Sequence, residues 1–235
     1  KHNNLTELEK LLKIYRKNNS QKKPLVITES LFSMEGTTAP IKEISELCSK
    51  YDAKLLLDEA HAFGIMGSKG RGESFGLKEP ISIISGTFGK AFGGGGAFLA
   101  TDKYTGEGLI QNCGAFRYTT ALAPALCASA LAALSLIRNN PDWGGKLQDK
   151  SLDLREKLSQ NGWAKPLGKG PIISLILGSD ELAIDYQKKL EAQGLLTVAI
   201  RPPTVPEGKS RLRLIIRRNT PIQAFERLFK VLSNK

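Results

Sequence analysis

A single lysine stands in a glycine-rich segment, SGTFGKAFGGGG, at positions 85–96. Upstream, the apolar run LLL at 55–57 is followed directly by Asp58 and then by His61. Pyridoxal phosphate (PLP) chemistry needs a lysine amine that condenses with an aldehyde and a carboxylate that keeps the ring nitrogen protonated. An imidazole near the carboxylate can also hydrogen-bond the phenolate oxygen of the ring. The pattern therefore predicts that Lys90 is the Schiff-base residue, with Asp58 and His61 beside the ring.

The elements around these residues favour the same site. A short apolar run before Asp58 is typical of a buried parallel strand, and open α/β sheets bind ligands at the carboxyl ends of such strands. The glycines around Lys90 and the hydroxyl of Thr87 are expected to give donors to a phosphate, because small residues allow close approach to an anion. Ser33, in the turn-like SMEG after VITES, is a further candidate hydroxyl.

Motifs along nearly the whole chain resemble, in order, those of the α-oxoamine synthases. These are class II aminotransferase-like PLP enzymes of fold type I, which condense an amino acid with an acyl thioester and release carbon dioxide. The matching segments are ESLFSMEGTTAP, LLLDEAHAFGIMGSKGRG, SGTFGKAFGGGGAF, FRYTTALAPAL and AIRPPTVPEGKSRLRL. The segment IRPPTVP at 200–206 is most similar to members that act in biotin biosynthesis. The resemblance implies L-alanine and pimeloyl coenzyme A, or a pimeloyl carrier protein, as substrates.

For the cofactor, the resemblance implies one role at each matching position. Lys90 is the residue bound covalently to PLP, Asp58 is the partner of the ring nitrogen, and His61 is the partner of the phenolate oxygen. Ser33 and Thr87 contact PLP as well. Lys90 is also the expected general base, so Lys90, Asp58 and His61 form the expected catalytic set.

For the partner subunit and the substrate, the resemblance implies further residues. Thr120, in RYTTA, matches a threonine that reaches the phosphate of the neighbouring subunit's cofactor, so a homodimer is expected. Thr204 and Arg213 match positions that line the substrate site, where the arginine holds the amino acid carboxylate in a bidentate fork. Arg211 lies two residues away on the same face of an expected strand and is an alternative to Arg213.

The start of the chain, KHNNLTELEKLL, matches a point inside the family's sequence. We therefore expect a preceding segment, which in relatives carries the aromatic residue that stacks on PLP and part of the acyl-thioester site. Two alternatives stay open. The chain could belong to a relative that uses glycine or serine, such as a glycine C-acetyltransferase or 5-aminolevulinate synthase, or it could be an inactive fragment of the PLP fold.

Composition excludes several other classes of protein. The net charge of +11 and the letters DEAH at 58–61 raise the possibility of a helicase, but the GxxxxGK[ST] loop that an NTPase needs is absent from the sequence. We therefore expect no nucleic-acid partner. No stretch has the length and hydropathy of a membrane span. The three cysteines form no CxxC pair, so neither a metal site nor a disulfide framework is indicated, and a reducing cytoplasm is expected.

Periodicity predicts an α/β protein with a partial PLP-binding large domain at 1–137, built on a mostly parallel sheet, and a C-terminal α+β small domain at 138–235. In the large domain we expect helices at 5–15, from Pro40 and, buried, at 121–137, with strands at 25–28, 55–57, 81–84 and 97–100. In the small domain we expect helices at 146–160 and from Pro221, with strands at 172–177, 196–200 and 211–216.

Overall fold

The computed structural model describes residues 1–19, 21–79 and 81–233. The chain divides into two compact units. The first unit comprises Lys1–Leu31 and Thr38–Gly144, and the second comprises Phe32–Thr37 and Gly145–Lys235. The short segment Phe32–Thr37 thus belongs with the C-terminal part of the chain. The expected domain boundary after residue 137 stays a prediction.

The first unit contains a four-stranded sheet and five α-helices in its described residues. The strands are β1 (Leu25–Glu29), β2 (Lys54–Asp58), β3 (Ile83–Thr87) and β4 (Ala97–Thr101). The helices are α1 (Leu5–Asn18), α2 (Ile41–Lys50), α3 (Lys103–Asn112), α4 (Gly114–Arg117) and α5 (Pro124–Asn139). The predicted helices at 5–15 and from Pro40 are confirmed, as are the strands at 25–28, 55–57 and 97–100.

The sheet of the first unit has the order β1-β2-β3-β4. Strands β1, β2 and β3 are parallel, whereas β4 runs antiparallel to β3. The prediction of a mostly parallel sheet is confirmed, with β4 as the antiparallel member. A connection of only nine residues joins β3 to β4, and a connection that short can form a hairpin but not a crossover to a parallel neighbour.

Helix α2 shows how the sequence builds this unit. Its buried residues Ile41, Ile44 and Cys48 recur at helical spacing and lie on the side that packs against β2. On β2, Leu55 is 1% exposed and Leu57 is fully buried. This alternation fixes which side chains of β2 point into the core, and it leaves Asp58 at the end of the strand.

Helix α5 differs from the expectation of a buried helix. Leu131 is 68% exposed and Leu136 is 56% exposed, whereas Ala130 is buried. In the described part of the chain, the rest of the unit covers only one side of this helix. The prediction that α5 is buried is therefore wrong for this chain.

The second unit contains a three-stranded antiparallel sheet of order β5-β7-β6. Its strands are β5 (Ile172–Gly178), β6 (Val198–Ile200) and β7 (Ser210–Ile215). Its helices are α6 (Trp143–Gln160), of which the first two residues precede the unit, α7 (Asp180–Ala192) and α8 (Ile222–Leu232). The predicted elements of this region are confirmed with small shifts at their ends, and α7 is an additional helix.

An unusual buried arginine helps to hold the second unit together. Arg155, on α6, is 1% exposed, and its guanidinium donates to the carbonyl oxygens of Ser151 at 3.2 Å, Leu167 at 3.3 Å and Ile172 at 2.8 Å. Burial lowers the pKa of Arg155 to about 10, because the charged form loses its hydration. The carbonyl acceptors compensate part of that loss and tie α6 to the start of β5.

Candidate active site

Asp58 lies at the carboxyl end of β2, in the middle of the parallel part of the sheet. It is paired with Glu29 of β1 on one side and with Ser85 of β3 on the other. The carboxylate is half-buried, and its Oδ1 accepts a hydrogen bond from the backbone N–H of Ala60 at 2.8 Å. In the described residues, Oδ2 has no hydrogen-bond partner. The carboxylate is thus oriented through one oxygen, and this arrangement fits a partner for a protonated ring nitrogen.

The loop that carries His61 packs against the loop that carries Lys90. Gly64 has φ +80°, and a Cβ added there would lie 2.8 Å from the Cβ of Ala91. Because Ala91 follows Lys90 directly and Gly64 is three residues after His61, the two loops are in close contact. His61 itself is half-buried. The fold therefore brings the expected ring partners and the expected Schiff-base lysine to the same edge of the sheet.

Thr87 closes the base of the Lys90 loop. Its Oγ1 accepts from the N–H of Gly89 and donates to the carbonyl oxygen of Gly96, both at 3.1 Å. At the tip, the N–H of Gly93 donates to the carbonyl oxygen of Lys90 at 3.0 Å. Lys90 is exposed, so the described residues of this chain do not enclose the amine in a water-poor pocket.

Three aromatic rings connect the loop that carries His61 with the loop that carries Lys90. The ring centroid of Phe98 lies 5.8 Å from that of Phe63 and 5.2 Å from that of Phe88. A Cβ at Gly86 would lie 2.4 Å from the Phe98 ring and 2.9 Å from the Phe63 ring, so only glycine allows this packing. The aromatic cluster thus fixes the loop after β2 against the hairpin of β3 and β4.

A cavity of about 1040 Å³ is lined by this aromatic cluster and by residues of α5. Its walls include Phe75, Phe92 and Leu131, with Arg71 and Arg138 also lining it. In the described part of the chain, none of the expected cofactor residues lines this cavity. We therefore do not assign it to the cofactor.

Thr120 lies in the segment before α5 and is exposed. The same segment reaches the Lys90 loop, because a Cβ at Gly96 would lie 2.5 Å from the Cδ1 of Leu122. An exposed position is compatible with the expected contact to a neighbouring subunit.

The remaining predicted residues lie in the second unit. Ser33 belongs to the segment Phe32–Thr37, and its carbonyl oxygen accepts from the Nε of Arg213 at 2.6 Å. Arg213 is half-buried, on β7. Thr204 is exposed, and its backbone N–H donates to the carbonyl oxygen of Arg201 at 3.0 Å. The structure therefore brings Ser33 and Arg213 together within this unit.

Arg211 has a different environment from Arg213. It is 5% exposed, and it donates to the Ser174 hydroxyl at 3.3 Å and to the Lys209 carbonyl oxygen at 3.0 Å. It also forms an ion pair with Glu35 at 3.4 Å. These contacts indicate that Arg211 stabilises the second unit.

One residue of the site was missed in the sequence. Glu59, directly after Asp58, is fully buried and accepts hydrogen bonds from the hydroxyl of Ser30 and from two backbone N–H groups. The sequence signal that could have identified Glu59 is the acidic pair Asp58 and Glu59, because two adjacent residues at a strand end point to opposite sides of the sheet.

The fold is that of PLP-dependent enzymes of fold type I. The family described as aminotransferase class I and II matches residues 1–232, and the chain belongs to this family. PLP is the cofactor of the family. The half-buried Asp58 carboxylate and the adjacent lysine loop are chemically suited to it.

Relatives within the family are α-oxoamine synthases. A putative 8-amino-7-oxononanoate synthase of Acetivibrio thermocellus is 40% identical over 218 residues, which are 92% of this chain and 55% of that protein. The 8-amino-7-oxononanoate synthase of Lysinibacillus sphaericus is 37% identical over 217 residues, again 92% of this chain and 55% of that protein. The chain thus spans about half the length of these relatives.

Solved structures agree with this assignment. Sphingomonas wittichii serine palmitoyltransferase has a TM-score of 0.89 at 28% identity, covering 99% of this chain and 58% of that chain. The 8-amino-7-oxononanoate synthase from Francisella tularensis has a TM-score of 0.80 at 29% identity, covering 96% of this chain and 65% of that chain. A serine palmitoyltransferase solved with a PLP internal aldimine also has a TM-score of 0.89.

Two other kinds of site are absent from the described residues. Over residues 1–19, 21–79 and 81–233, no helix is long and apolar enough to cross a membrane. In the same residues, no group of at least three histidine, cysteine or acidic side chains is arranged to hold a metal ion.

Proposed function

We propose that the chain forms part of a PLP-dependent C-acyltransferase that condenses L-alanine with a pimeloyl thioester and releases carbon dioxide, giving 8-amino-7-oxononanoate. The observation that carries the proposal is the packing of the Asp58–His61 loop against the Lys90 loop, with Gly64 facing Ala91. The names of the relatives support the choice of product.

When bound, PLP supplies an electron sink for the electron pair left on Cα after proton removal. Asp58 would hold the ring nitrogen in its protonated form, and His61 would hydrogen-bond the phenolate oxygen. Lys90 would hold the cofactor through its Nζ and, once the substrate amine has taken its place there, the freed Nζ would take the Cα proton as general base. Thr87 and Ser33 are the hydroxyl residues proposed to contact the cofactor.

The amino acid carboxylate is assigned to Arg213, with Thr204 lining the same substrate site. Arg213 is preferred over Arg211 because Arg211 is buried and engaged with Glu35. A guanidinium suits this task, since its planar fork matches a carboxylate in a bidentate manner. The proposal includes a homodimer in which Thr120 reaches the neighbouring subunit's cofactor.

The proposal also places the protein in a reducing cytoplasm. Its support is the state of the cysteines, since Cys48, Cys113 and Cys127 are all free thiols.

A second candidate is another α-oxoamine synthase with a different amino acid and acyl donor. The high similarity to serine palmitoyltransferases favours it. The two candidates share Lys90, Asp58 and His61 and differ only in the substrates, so a substrate comparison separates them.

Cofactor binding is tested by adding PLP to the purified chain. The expected result is a yellow absorbance band that borohydride abolishes. In Lys90→Ala this band should be absent, and only the absorbance of free PLP should remain. Lys69→Ala is the matched control, because Lys69 is another exposed lysine of the first unit. A covalent band that persists in Lys90→Ala would show that another amine binds PLP.

Substrate choice is tested by carbon dioxide release from carboxyl-labelled amino acids. L-Alanine with pimeloyl coenzyme A is expected to give more release than glycine or serine with shorter or longer acyl donors. Greater release with serine and a long acyl donor, or with glycine and a short one, favours the second candidate. A chain that binds PLP covalently and releases carbon dioxide with none of these pairs is an inactive PLP-fold fragment.

A further inference from the structure

Glu59 is a fully buried carboxylate that the chemistry above does not use. It follows Asp58 directly, and its backbone N–H donates to the carbonyl oxygen of Ser85 at 2.8 Å, so it extends the pairing of β2 with β3 by one residue. Because side chains alternate along an extended segment, Glu59 points to the side opposite Asp58.

Three neutral donors hold the Glu59 carboxylate. The Ser30 hydroxyl donates to Oε2 at 2.8 Å, the N–H of Glu73 donates to Oε2 at 3.1 Å, and the N–H of Ser74 donates to Oε1 at 2.7 Å. Gly72, at φ +90°, allows this approach, because a Cβ there would lie 2.8 Å from the carboxyl carbon of Glu59. The loop at 72–74 is thus folded onto this one carboxylate.

The same contacts reach the backbone of Asp58. The N–H of Ser30 donates to the carbonyl oxygen of Asp58 at 2.9 Å, and the Ser30 hydroxyl lies 3.3 Å from that oxygen. On the other side of Glu59, the N–H of Ala60 donates to Asp58 Oδ1 at 2.8 Å. Glu59 therefore stands between the carbonyl group of Asp58 and the N–H that orients the Asp58 carboxylate.

We propose that Glu59 is a positioning residue for the cofactor site. Its hydrogen bonds hold the end of β2 in place, so that the N–H of Ala60 keeps the Asp58 carboxylate oriented. A buried carboxylate with three donors strongly favours one arrangement, because each lost hydrogen bond leaves a buried polar group unsatisfied. The inference rests on the proposed role of Asp58.

The test uses Glu59→Gln in the full chain, with Ser30→Ala as a milder variant that removes one donor. Backbone hydrogen exchange at Ala60, measured relative to the amides of β5, is expected to become roughly tenfold faster in Glu59→Gln, as loss of hydrogen bonds to a charged group implies. PLP affinity is expected to fall by a similar factor, with a shift in the pH dependence of the yellow band. Glu46→Gln, an exposed change on α2, is the control.

The outcomes separate this inference from the proposed function. Unchanged exchange at Ala60 and unchanged PLP affinity in Glu59→Gln overturn the inference, even if thermal stability falls. If the unaltered chain takes up no PLP, the proposed function fails, and exchange at Ala60 still decides whether Glu59 orients Asp58. If Glu59→Gln does not fold, Ser30→Ala decides by the same two measurements.

Discussion

The Nε of Arg213 donates to the carbonyl oxygen of Ser33 at 2.6 Å, which ties β7 to the segment Phe32–Thr37. Arg211, two residues earlier on the same strand, reaches the same segment through the carbonyl oxygen of Met34 at 3.4 Å. The two arginines differ in burial, since Arg211 is 5% exposed and Arg213 is half-buried. This difference predicts different consequences for their replacement.

Arg213→Lys is expected to weaken amino acid binding by roughly tenfold or more, because a lysine ammonium lacks the bidentate fork. Arg211→Met is expected to lower the free energy of unfolding by about 1–3 kcal/mol, because Ser174 and the carbonyl oxygens of Met34 and Lys209 lose a donor. Spectral titration with L-alanine and urea denaturation check the two effects. Strong loss of amino acid binding in a folded Arg211→Met variant with normal Arg213→Lys would reverse the assignment.

Asp58→Asn is expected to slow α-proton exchange of L-alanine in the PLP-loaded chain by several orders of magnitude. Asp58 would form a charge pair with the protonated ring nitrogen of PLP. Removing one partner of a buried charge pair costs about 3–5 kcal/mol, and each 1.4 kcal/mol is roughly tenfold in rate. Exchange is measured by NMR in deuterated water. Asp52→Asn is the control, because Asp52 is exposed and at φ 48° tolerates asparagine. Near-normal exchange in Asp58→Asn contradicts the assignment.

Gly64→Ala is expected to destabilise the first unit more than Gly76→Ala. Both glycines have positive φ, +80° at Gly64 and +86° at Gly76, so each alanine costs about 1 kcal/mol for its backbone conformation. Only at Gly64 does the new Cβ meet Ala91, at 2.8 Å, and such overpacking adds about 1–3 kcal/mol. Urea midpoints measure the difference, and equal midpoints would show that the two loops do not pack as described.

Cys48 predicts a loss of stability in alkaline solution. Burial raises the pKa of its thiol from 9.0 to about 11, so above pH 9.0 the unfolded chain releases a proton that the folded chain retains. Between about pH 9 and 10 the free energy of unfolding of the unaltered chain should therefore fall by about 1 kcal/mol more than that of Cys48→Ala. Denaturation curves in that range check it.

A control at another cysteine sharpens the alkaline experiment. Cys127→Ala, at an exposed cysteine, should keep the slope of the unaltered chain. Burial lowers the pKa of Arg155 to about 10, and this shift acts on the pH slope in the opposite sense. Its contribution is common to all three proteins and cancels in the difference. Identical slopes in the unaltered chain and Cys48→Ala would contradict the prediction.

Apolar runs predicted most strands but not all of their ends. The run at 81–84 suggested a strand there, whereas β3 is Ile83–Thr87. Ser85, Gly86 and Thr87 carry no apolar signal, and they are extended because β4 pairs with them. The direction of β4 likewise depends on that pairing. Helix α3 was missed since Gly106 and Gly108 lower its helix propensity.

The candidate site was predictable as a set of residue types but not as an environment. Asp58 was placed correctly at a strand end, because the preceding leucines mark β2. The two-residue period of a strand placed Arg211 and Arg213 on the same face of the sheet. Only the contacts of Arg211 with Glu35 and Ser174 distinguish the two arginines. The exposure of Lys90 depends on which parts of a fold surround it, and local sequence carries no such information.

The antiparallel pairing of β3 with β4 has a consequence for the order of folding. A hairpin closes a short loop and forms in about 1–10 μs, whereas parallel pairs such as β1 with β2 must first bring distant residues together. The β-turn geometry at Lys90 is therefore expected to arise early in folding, ahead of the strand pairing that delivers Asp58. In a full-length chain that refolds, Lys90 would then reach its native turn before Asp58 reaches its place in the sheet.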